Sequence, residues 1–274
     1  MSEERDPNAG PVVLVEKEGA ILIVTLNRPE KRNCINAEMM CRLADAWQEL
    51  NDNDELRVGI LTGNGNTFCA GMDLKDLEKF RGDEEPDKWA NRAMNTPNLA
   101  FTAWLKVNRP KKPIVLATEG FARAGGTEIL QGTDIRVAGE SAKFAVTEVQ
   151  RALFALAGST VRLRRQIPYC IAAEILLTGE DISAQRAYEV GLINYVVPDG
   201  QALTKAKQIA QRIADNGPLA VQGILATLRE TEMLPEDQAF EIEMGYGMPV
   251  LVSEDGKEGA RAFLEKRKPV FKGR

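Results

Sequence analysis

The sequence predicts an α/β core followed by a helical C-terminal region. Short runs rich in Val and Ile alternate with loops and amphipathic stretches along the first two thirds of the chain, an order typical of α/β folds. From Ser183 onward the pattern is mostly helical, with "INYVV" as one further strand. We therefore expect an α/β core over residues 1–200 and a helical region over residues 201–274.

The elements of the core follow from local patterns. "PVVLVEKEGAILIVTLNRP" holds two β-rich runs around "KEG", which predicts a hairpin. "NAEMMCRLADAWQEL" places its apolar residues on one face at helical spacing and predicts a helix over 36–50, with Asn36 as N-cap. "RVGILTG", "PIVLATEG" and "TDIRVAG" predict three short buried strands, the last reached through a helical "GTEILQG".

The later elements are mainly helices. "SAQRAYEVG" begins with a Ser N-cap and ends with glycine, which predicts a short helix. Amphipathic patterns predict four further helices, over about 202–215, 218–231, 236–248 and 254–267. The polar stretch 81–98 is expected to be a mobile loop or an irregular helix.

Composition excludes several classes of chemistry. None of the 274 residues is histidine, so mechanisms built on Ser-His, Cys-His or His-metal pairs are excluded. The four cysteines are widely and irregularly spaced, so we expect reduced thiols, no metal site and no disulfide framework. "GNGNTF" and "DGKE" lack residues that nucleotide-binding loops require, so no nucleotide cofactor is expected.

Charge and hydropathy limit the partners and the location. The net charge of −5, from 35 basic and 40 acidic residues, predicts no nucleic-acid partner. No apolar run approaches the roughly 18 residues of a membrane span, so no membrane partner is expected. The N-terminal "MSEERDPNAG" has the features of neither a signal peptide nor a transit peptide. We therefore expect a cytoplasmic protein.

Two glycine-containing loops open onto predicted helices. "FCAGMDLKDL" passes through Gly71, and "ARAGGTEIL" passes through Gly125 and Gly126. Helix N-termini expose unpaired backbone N–H groups, so two that converge would form an oxyanion hole for a carbonyl oxygen. Each loop alone is also explained by an ordinary strand-to-helix turn in which glycine permits close packing.

Glu128 and Glu148 are acids that stand among apolar residues. Helix capping accounts for either one, because Glu128 lies in a first helical turn and Thr147 is a candidate N-cap beside Glu148. Alternatively, they form a pair in which one carboxylate holds water and the other carboxyl group delivers a proton. Their spacing leaves both interpretations open.

Five segments in this order resemble the enoyl-CoA hydratase/isomerase, or crotonase, family: "LNRPEKRNCIN", "FCAGMDLKDL", "GTEILQGTDIRVAGESAKF", "LLTGEDISAQRAYEVGLINYVVP" and "AFLEKRKPVF". The resemblance implies a spiral of ββα units with a helical trimerisation region, assembled as a homotrimer or a dimer of trimers. It also implies an enzyme that hydrates a 2-enoyl-CoA thioester to a 3-hydroxyacyl-CoA, in fatty-acid or steroid side-chain β-oxidation. Coenzyme A is then part of the substrate, and no separate cofactor is expected.

The resemblance also assigns site residues. The backbone N–H groups of Met72 and Gly125 would form the oxyanion hole. Glu128 would activate water for attack at C3, and Glu148 would protonate C2. The positions that would bind coenzyme A are Arg32, Cys34, Ala70, Asp73, Leu74 and Lys75, together with Phe263 and Lys266, which would reach the ligand of a neighbouring subunit.

The chain departs from the family pattern near the second acid. Ala124 replaces the first glycine of a triplet, Ala145 and Thr147 stand where Gly and Pro are common, and "RALFALAGS" lacks a proline and paired glycines. The N–H that helps to hold water would come from about Leu156. Two alternatives therefore remain: an isomerase, which needs only one proton-shuttling carboxylate, and a noncatalytic acyl-CoA-binding protein.

Large apolar residues occur in two segments that the resemblance places near the acyl group. They either pack in the core or form a wide apolar pocket. "TEILQGTDIRVAGESAKF" also resembles actinobacterial crotonases that act on steroid side-chain thioesters, which favours a bulky substrate. The residues concerned are Phe80, Trp89, Met94, Leu99, Phe101 and Trp104 in the first segment, and Leu153, Phe154 and Leu156 in the second.

Overall fold

The computed structural model describes residues 10–274, so most of the N-terminal stretch used above to predict location lies outside the described residues. The strands are β1 Val13–Glu18, β2 Ile21–Leu26, β3 Val58–Gly63, β4 Ile114–Thr118, β5 Phe121–Arg123, β6 Ile135–Gly139, β7 Lys143–Ala145, β8 Ile182–Ser183 and β9 Tyr195–Val197. The helices are α1 Ala37–Asp52, α2 Leu74–Arg81, α3 Lys88–Asn95, α4 Leu99–Ala103, α5 Gly125–Leu130, α6 Ser159–Gln166, α7 Tyr169–Thr178, α8 Ala184–Glu189, α9 Ala202–Ala214, α10 Pro218–Glu230, α11 Glu236–Val252 and α12 Glu254–Leu264.

A six-stranded sheet with the order β1-β2-β3-β4-β6-β9 forms the centre of the fold. β1 and β2 pair in an antiparallel hairpin, and β2 onward pair in parallel. A second sheet of three short strands, β5-β7-β8, lies beside the α5 region. The predicted hairpin, the three core strands and the α/β class are confirmed.

Helix α1 covers one face of the large sheet. The side chain of Asn36 accepts a hydrogen bond from the backbone N–H of Met39 at 2.9 Å, which confirms the predicted N-cap. The apolar stripe of the helix is buried in the main core together with β1, β2 and β4. Its members are Met39, Met40, Leu43, Ala46, Trp47 and Leu50.

Helix α9 covers the opposite face. Its alanines and Ile209 pack on side chains of β2, β3, β4 and β6 in a second core cluster. Both faces of the sheet are therefore buried, which explains why "RVGILTG" and "PIVLATEG" read as continuous apolar runs. The loops at the carboxyl ends of β3 and β4 lead into the segments that form the site described below.

The segment 81–98 differs from its expected irregular structure. It contains the regular helix α3, because Asp87 accepts hydrogen bonds from the N–H groups of Trp89 and Ala90 at 2.8 and 2.9 Å. Lys79 links this cap to α2, with its Nζ 2.8 Å from Asp87 Oδ2 and 2.9 Å from Asp76 Oδ1. The expectation of an irregular segment is therefore wrong over Lys88–Asn95.

The C-terminal helices α9 to α12 match the four predicted helices within a few residues. Several of their large apolar side chains are exposed, namely Ile224, Leu228, Phe240, Met244, Met248 and Leu251, as is Met233 between α10 and α11. Helices α6 and α7 were not predicted from the sequence. Over residues 10–274, the structure has no helix long and apolar enough to span a membrane.

Candidate active site

A cavity of about 1320 Å³ opens between the segments that carry the two predicted loops. We call it the central cavity. Its walls come from residues 70–81, the α4 region, the start of α5 and residues 147–157. Both Glu128 and Glu148 line it, together with Met72 and Gly125. The four residues that the sequence predicted to be catalytic therefore face one space.

The two glycine loops touch each other at this cavity. Gly71 has a φ of +103°, and a Cβ atom at this position would lie 2.8 Å from the Ala124 Cβ and 3.3 Å from the Gly125 nitrogen. A Cβ atom on Gly126 would lie 2.4 Å from the carbonyl oxygen of Cys69. Both glycines are needed because a side chain would push the loops apart.

The backbone N–H groups of Met72 and Gly125 are free to bind a ligand. Ile35 donates its N–H to Gly71 O at 2.8 Å and accepts from Asp73 N at 2.9 Å, so this bridge leaves the N–H of Met72 unused. Within residues 10–274, neither Met72 N nor Gly125 N donates to a protein acceptor. Two unpaired donors beside one cavity suit an oxygen that gains negative charge.

The predicted origin of these donors is only half right. Gly125 is the first residue of α5, as expected. Helix α2, however, begins at Leu74 with Asp73 as its N-cap, so the Met72 N–H precedes the helix. Ala124 holds φ 50° and ψ −126°, a backbone conformation that favours glycine. The donors are therefore set mainly by the contact between the loops.

Glu128 is buried, with 3% of its surface exposed, on α5. Burial raises the pKa of its carboxyl group above the usual value. Backbone N–H groups oppose this rise: Ser159 N donates to Oε1 at 3.1 Å, and the N–H groups of Ala157 and Gly158 also lower the pKa of the carboxyl group. The site therefore supplies the donors that an ionised Glu128 needs.

Glu148 lies on a 3-10 helix, Thr147–Arg151, whose N-cap position is Val146 rather than Thr147. The expected Thr147 cap is therefore wrong. Burial, and next the negative charge of Glu128, raise the pKa of Glu148 to about 7. Its Oε2 atom is buried and accepts no hydrogen bond within residues 10–274. Such a carboxyl group is suited to hold a proton near neutral pH.

The two carboxyl groups line the same cavity, and each shifts the pKa of the other. After burial, the negative charge of Glu128 is the main cause of the raised pKa of Glu148, so Glu148 is the member of the pair suited to keep the proton. Two like charges this close do not both ionise readily, and the pair titrates as a unit. The geometry therefore favours a proton-sharing pair over two independent helix caps.

The sequence as a whole matches a known family. Residues 16–274 match the profile of the enoyl-CoA hydratase/isomerase family. The chain belongs to this family. It is 53% identical to the enoyl-CoA hydratase EchA19 of Mycobacterium tuberculosis over 267 residues, which cover 97% of this chain and 98% of that protein. It is also 36% identical to the mevalonyl-coenzyme A hydratase sidH of Aspergillus fumigatus, with 99% and 98% covered.

Solved structures agree with this assignment. An enoyl-CoA hydratase from Mycobacterium tuberculosis H37Rv superimposes with a TM-score of 0.88 at 40% identity, covering 97% of this chain and 100% of that one. The enoyl-CoA hydratase EchA1 of Mycobacterium marinum gives a TM-score of 0.87 at 41% identity, with 97% and 100% covered. The crotonase fold expected from the sequence is thereby confirmed.

In this crotonase-family chain, the residues predicted to bind coenzyme A fall into two groups. Arg32, Cys34, Ala70, Asp73 and Leu74 line the central cavity. Lys75, Phe263 and Lys266 do not line it. Phe263 is 83% exposed on α12, and Lys266 follows that helix on the surface. A single chain therefore brings together only the first group.

Four basic residues of the cavity wall were not predicted from the sequence: Lys31, Arg81, Arg123 and Arg151. A signal existed for Lys31, which stands inside the "KRNC" motif that already gave Arg32 and Cys34. Arg123 is paired with Asp181, which also lines the cavity. Lys31 and Arg81 form no ion pair within the described residues, so both are available to an anionic ligand.

Some of the predicted apolar pocket residues line the cavity and others do not. Phe80, Phe101 and Trp104 line the cavity together with all three residues of the second segment. Trp89, Met94 and Leu99 do not. Leu99 is buried in a small core cluster with Cys41 and Ala93, against which Trp89 packs. The cavity wall therefore includes six of the nine predicted pocket residues, while part of the first segment only supports the fold.

The raised pKa of Glu148 predicts a pH-dependent effect on stability. Its pKa rises from an ordinary value of 4.5 to about 7 on folding. The folded protein therefore binds this proton more tightly than the unfolded chain does, and ionisation of Glu148 destabilises the folded state. Stability is highest below the unfolded pKa and is lost as pH rises through about 7. Glu148→Gln removes this loss. Between pH 5 and pH 8, we expect the free energy of unfolding of the wild type to fall by on the order of 2 kcal/mol more than that of the variant.

Urea unfolding at both pH values measures this effect. Glu140→Gln is the matched control, since Glu140 is exposed and outside the cavity. If Glu148→Gln and the wild type lose stability equally between pH 5 and pH 8, the raised pKa is refuted.

Proposed function

We propose that this chain hydrates 2-enoyl-CoA thioesters with a bulky apolar acyl group. Hydration itself agrees with the family and with the enoyl-CoA hydratases that the chain resembles. The observation that carries the proposal is the proton-sharing pair Glu128 and Glu148 beside two free backbone donors. The acyl group, the roles of individual residues and the assembly are proposals.

The site supports a simple sequence of proton movements. The N–H groups of Met72 and Gly125 bind the thioester oxygen, where negative charge develops as C3 is attacked. Glu128, ionised, takes a proton from water as the water oxygen bonds to C3. Glu148, protonated, gives its proton to C2. Water has then been added across the double bond, and the hydrogen bond between the acids returns the proton to Glu148.

The shared proton also separates hydration from the alternatives. An isomerase needs one carboxyl group to move a proton between two carbons, whereas hydration needs an acceptor for the water proton and a donor for C2. A noncatalytic acyl-CoA-binding protein needs neither. Ser159 N still donates to Glu128 despite the altered loop, and the N–H groups of Ala157 and Gly158 also lower the pKa of Glu128, which supports a working base.

Incubation of the purified protein with a 2-enoyl-CoA, and separately with a 3-enoyl-CoA, tests the reaction. We expect the absorbance of the conjugated thioester to disappear with the first substrate as the 3-hydroxyacyl-CoA forms. Appearance of conjugated thioester from the 3-enoyl-CoA without hydration would instead identify an isomerase. No conversion of either substrate, with tight acyl-CoA binding, would support the noncatalytic alternative.

Coenzyme A is proposed to enter along residues 31–34 and 70–74. Lys31, Arg32 and Arg81 bring unpaired positive charge to this wall, which suits phosphate groups. Lys75 lies outside the cavity, so we assign it a weaker contribution than the sequence indicated. Residues 70–74 thus hold both proposed coenzyme A contacts and the Met72 donor for the thioester oxygen.

A homotrimer or a dimer of trimers is proposed to complete the site. The exposed apolar residues of α10 and α11 favour burial against other copies. Phe263 and Lys266, which do not reach this chain's own cavity, would then contact a neighbouring subunit's coenzyme A. We expect Lys266→Ala to raise KM several-fold with little change in kcat, because a charge-assisted contact to phosphate is lost in ground state and transition state alike.

Lys257→Ala provides the control, since Lys257 is an exposed lysine on α12, the helix that precedes Lys266. Sedimentation velocity checks the assembly. A monomer at working concentration, or an unchanged KM in Lys266→Ala at low salt, would contradict this proposal.

A further inference from the structure

The loop between the 3-10 helix and α6 holds the base but lacks the residues that would stiffen it. Residues 152–158 contain neither proline nor paired glycines, and the Phe154 side chain is 67% exposed. The Glu128 carboxyl group accepts a hydrogen bond from Ser159 N, which follows this loop. The N–H groups of Ala157 and Gly158, at the end of the loop, also lower its pKa. Something outside the loop must therefore keep these donors in place.

Lys106, which lies outside this loop, forms a hydrogen bond with it. Its Nζ donates to the carbonyl oxygen of Leu156 at 2.7 Å and lies 4.3 Å from the centre of the Phe101 ring. Lys106 is itself fixed, because Arg162 Nη2 donates to the carbonyl oxygens of Leu105 and Lys106 at 2.6 and 3.1 Å. Arg162 belongs to α6, the helix that begins at Ser159, so the contacts form a closed loop.

The contact acts on the base through one peptide group. The carbonyl oxygen of Leu156 and the N–H of Ala157 belong to the same planar unit and point in opposite directions. Lys106 holds the oxygen end, and the N–H end is one of the backbone groups that lower the pKa of the Glu128 carboxyl group. A positive charge on the oxygen also polarises the peptide group and strengthens its N–H as a donor.

We propose that Lys106 is a positioning residue for hydration, which orients the Leu156–Ala157 peptide group and with it the donors that bind the Glu128 carboxylate. This inference rests on the proposed hydratase activity. Lys106 does not touch the reacting atoms in this scheme. The other charged groups near Glu128 are Glu148 and Arg162, and both stay unchanged when Lys106 is replaced.

The test replaces Lys106 with methionine, which keeps the length of the side chain and removes the ammonium group. We expect kcat to fall ~10- to 100-fold, the effect of misplacing a catalytic group by a fraction of an ångström to an ångström, while KM changes little. The acidic limb of the kcat/KM profile should move to higher pH, because Glu128 loses donors that lower its pKa. Backbone amides 157–159 should exchange with deuterium faster.

Two controls accompany this variant. Lys106→Arg keeps a cationic donor and should restore most of the rate and the original pH profile. Lys111→Met removes an exposed lysine five positions away and should change nothing. A wild-type rate and profile in Lys106→Met would overturn the proposal. So would a rate loss with an unshifted profile and unchanged exchange at 157–159, which would indicate a purely structural role.

The exchange measurement separates this inference from the proposed function. If the wild type hydrates no 2-enoyl-CoA, the proposed function fails, and positioning of amides 157–159 by Lys106 is still decided by their exchange rates. If the wild type is active and exchange at these amides is the same in both proteins, only the role of Lys106 is rejected.

Discussion

Replacement of Glu128 or Glu148 by glutamine is expected to lower kcat for hydration at least ~100-fold, the low end of the loss of a general acid or base. Glutamine keeps the shape of glutamate but neither takes up nor releases a proton at neutral pH. Both side chains line the cavity without filling it, so affinity for a saturated acyl-CoA should stay within a few-fold of the wild type. Initial rates and calorimetric binding measure the two effects.

The exposed Glu140→Gln again serves as the control, with an expected wild-type rate. Thermal melting establishes that each variant is folded. Near-normal turnover in either cavity variant would mean that this glutamate is a structural residue, and its assignment to catalysis would then be withdrawn.

A bulky 2-enoyl-CoA, such as one with a steroid side chain, is expected to have a kcat/KM at least ~100-fold above that of crotonyl-CoA. Each well-buried methylene group contributes up to ~0.8 kcal/mol, so a few of them suffice for this factor. The wall that would bind them is apolar and wide, formed by Phe80, Phe101, Trp104, Leu153, Phe154 and Leu156. A panel of straight-chain and ring-bearing enoyl thioesters measures the preference.

Phe154→Ala should reduce the advantage of the bulky substrate and leave crotonyl-CoA hydration almost unchanged. Met94→Ala is the matched control, because Met94 is an exposed apolar residue of the neighbouring segment that does not line the cavity. A clear optimum at four carbons would contradict a bulky substrate without affecting the assignment of hydration.

Elements with strong local signals were predictable from the sequence. The hairpin has two β-rich runs around a glycine turn, and α1 has an N-cap at Asn36 and a complete apolar face. Helix α8 likewise begins where the Ser183 side chain accepts a hydrogen bond from Arg186 N at 3.1 Å. In each case, the information lies within a few neighbouring residues.

Very short elements, and strands whose partners lie far away in the sequence, were not predicted. The strands β5, β7 and β8 have two or three residues each and pair across up to about forty positions of sequence, so no local periodicity marks them. Helix α3 was obscured by the charged stretch before it, although Asp87 is a good N-cap.

For the site, the family motifs indicated the residues but neither their contacts nor their pKa values. The loops around Gly71 and Gly125 were named from the sequence, whereas their contact depends on tertiary packing. The pKa of Glu148 depends on burial and on its distance from Glu128, neither of which spacing reveals. Lys106 had no sequence signal, because it binds a backbone carbonyl group fifty residues away.

The claim that Glu128 and Glu148 act as one proton-sharing unit is tested most directly by a double-mutant comparison. Single-turnover hydration of one 2-enoyl-CoA is measured for the wild type, Glu128→Gln, Glu148→Gln and the double variant under the same conditions. Residues that act as a unit show strongly non-additive losses. We expect the double variant to be no more than a few-fold slower than the slower single variant. Losses that multiply in the double variant would show that the two acids act independently and would contradict this account.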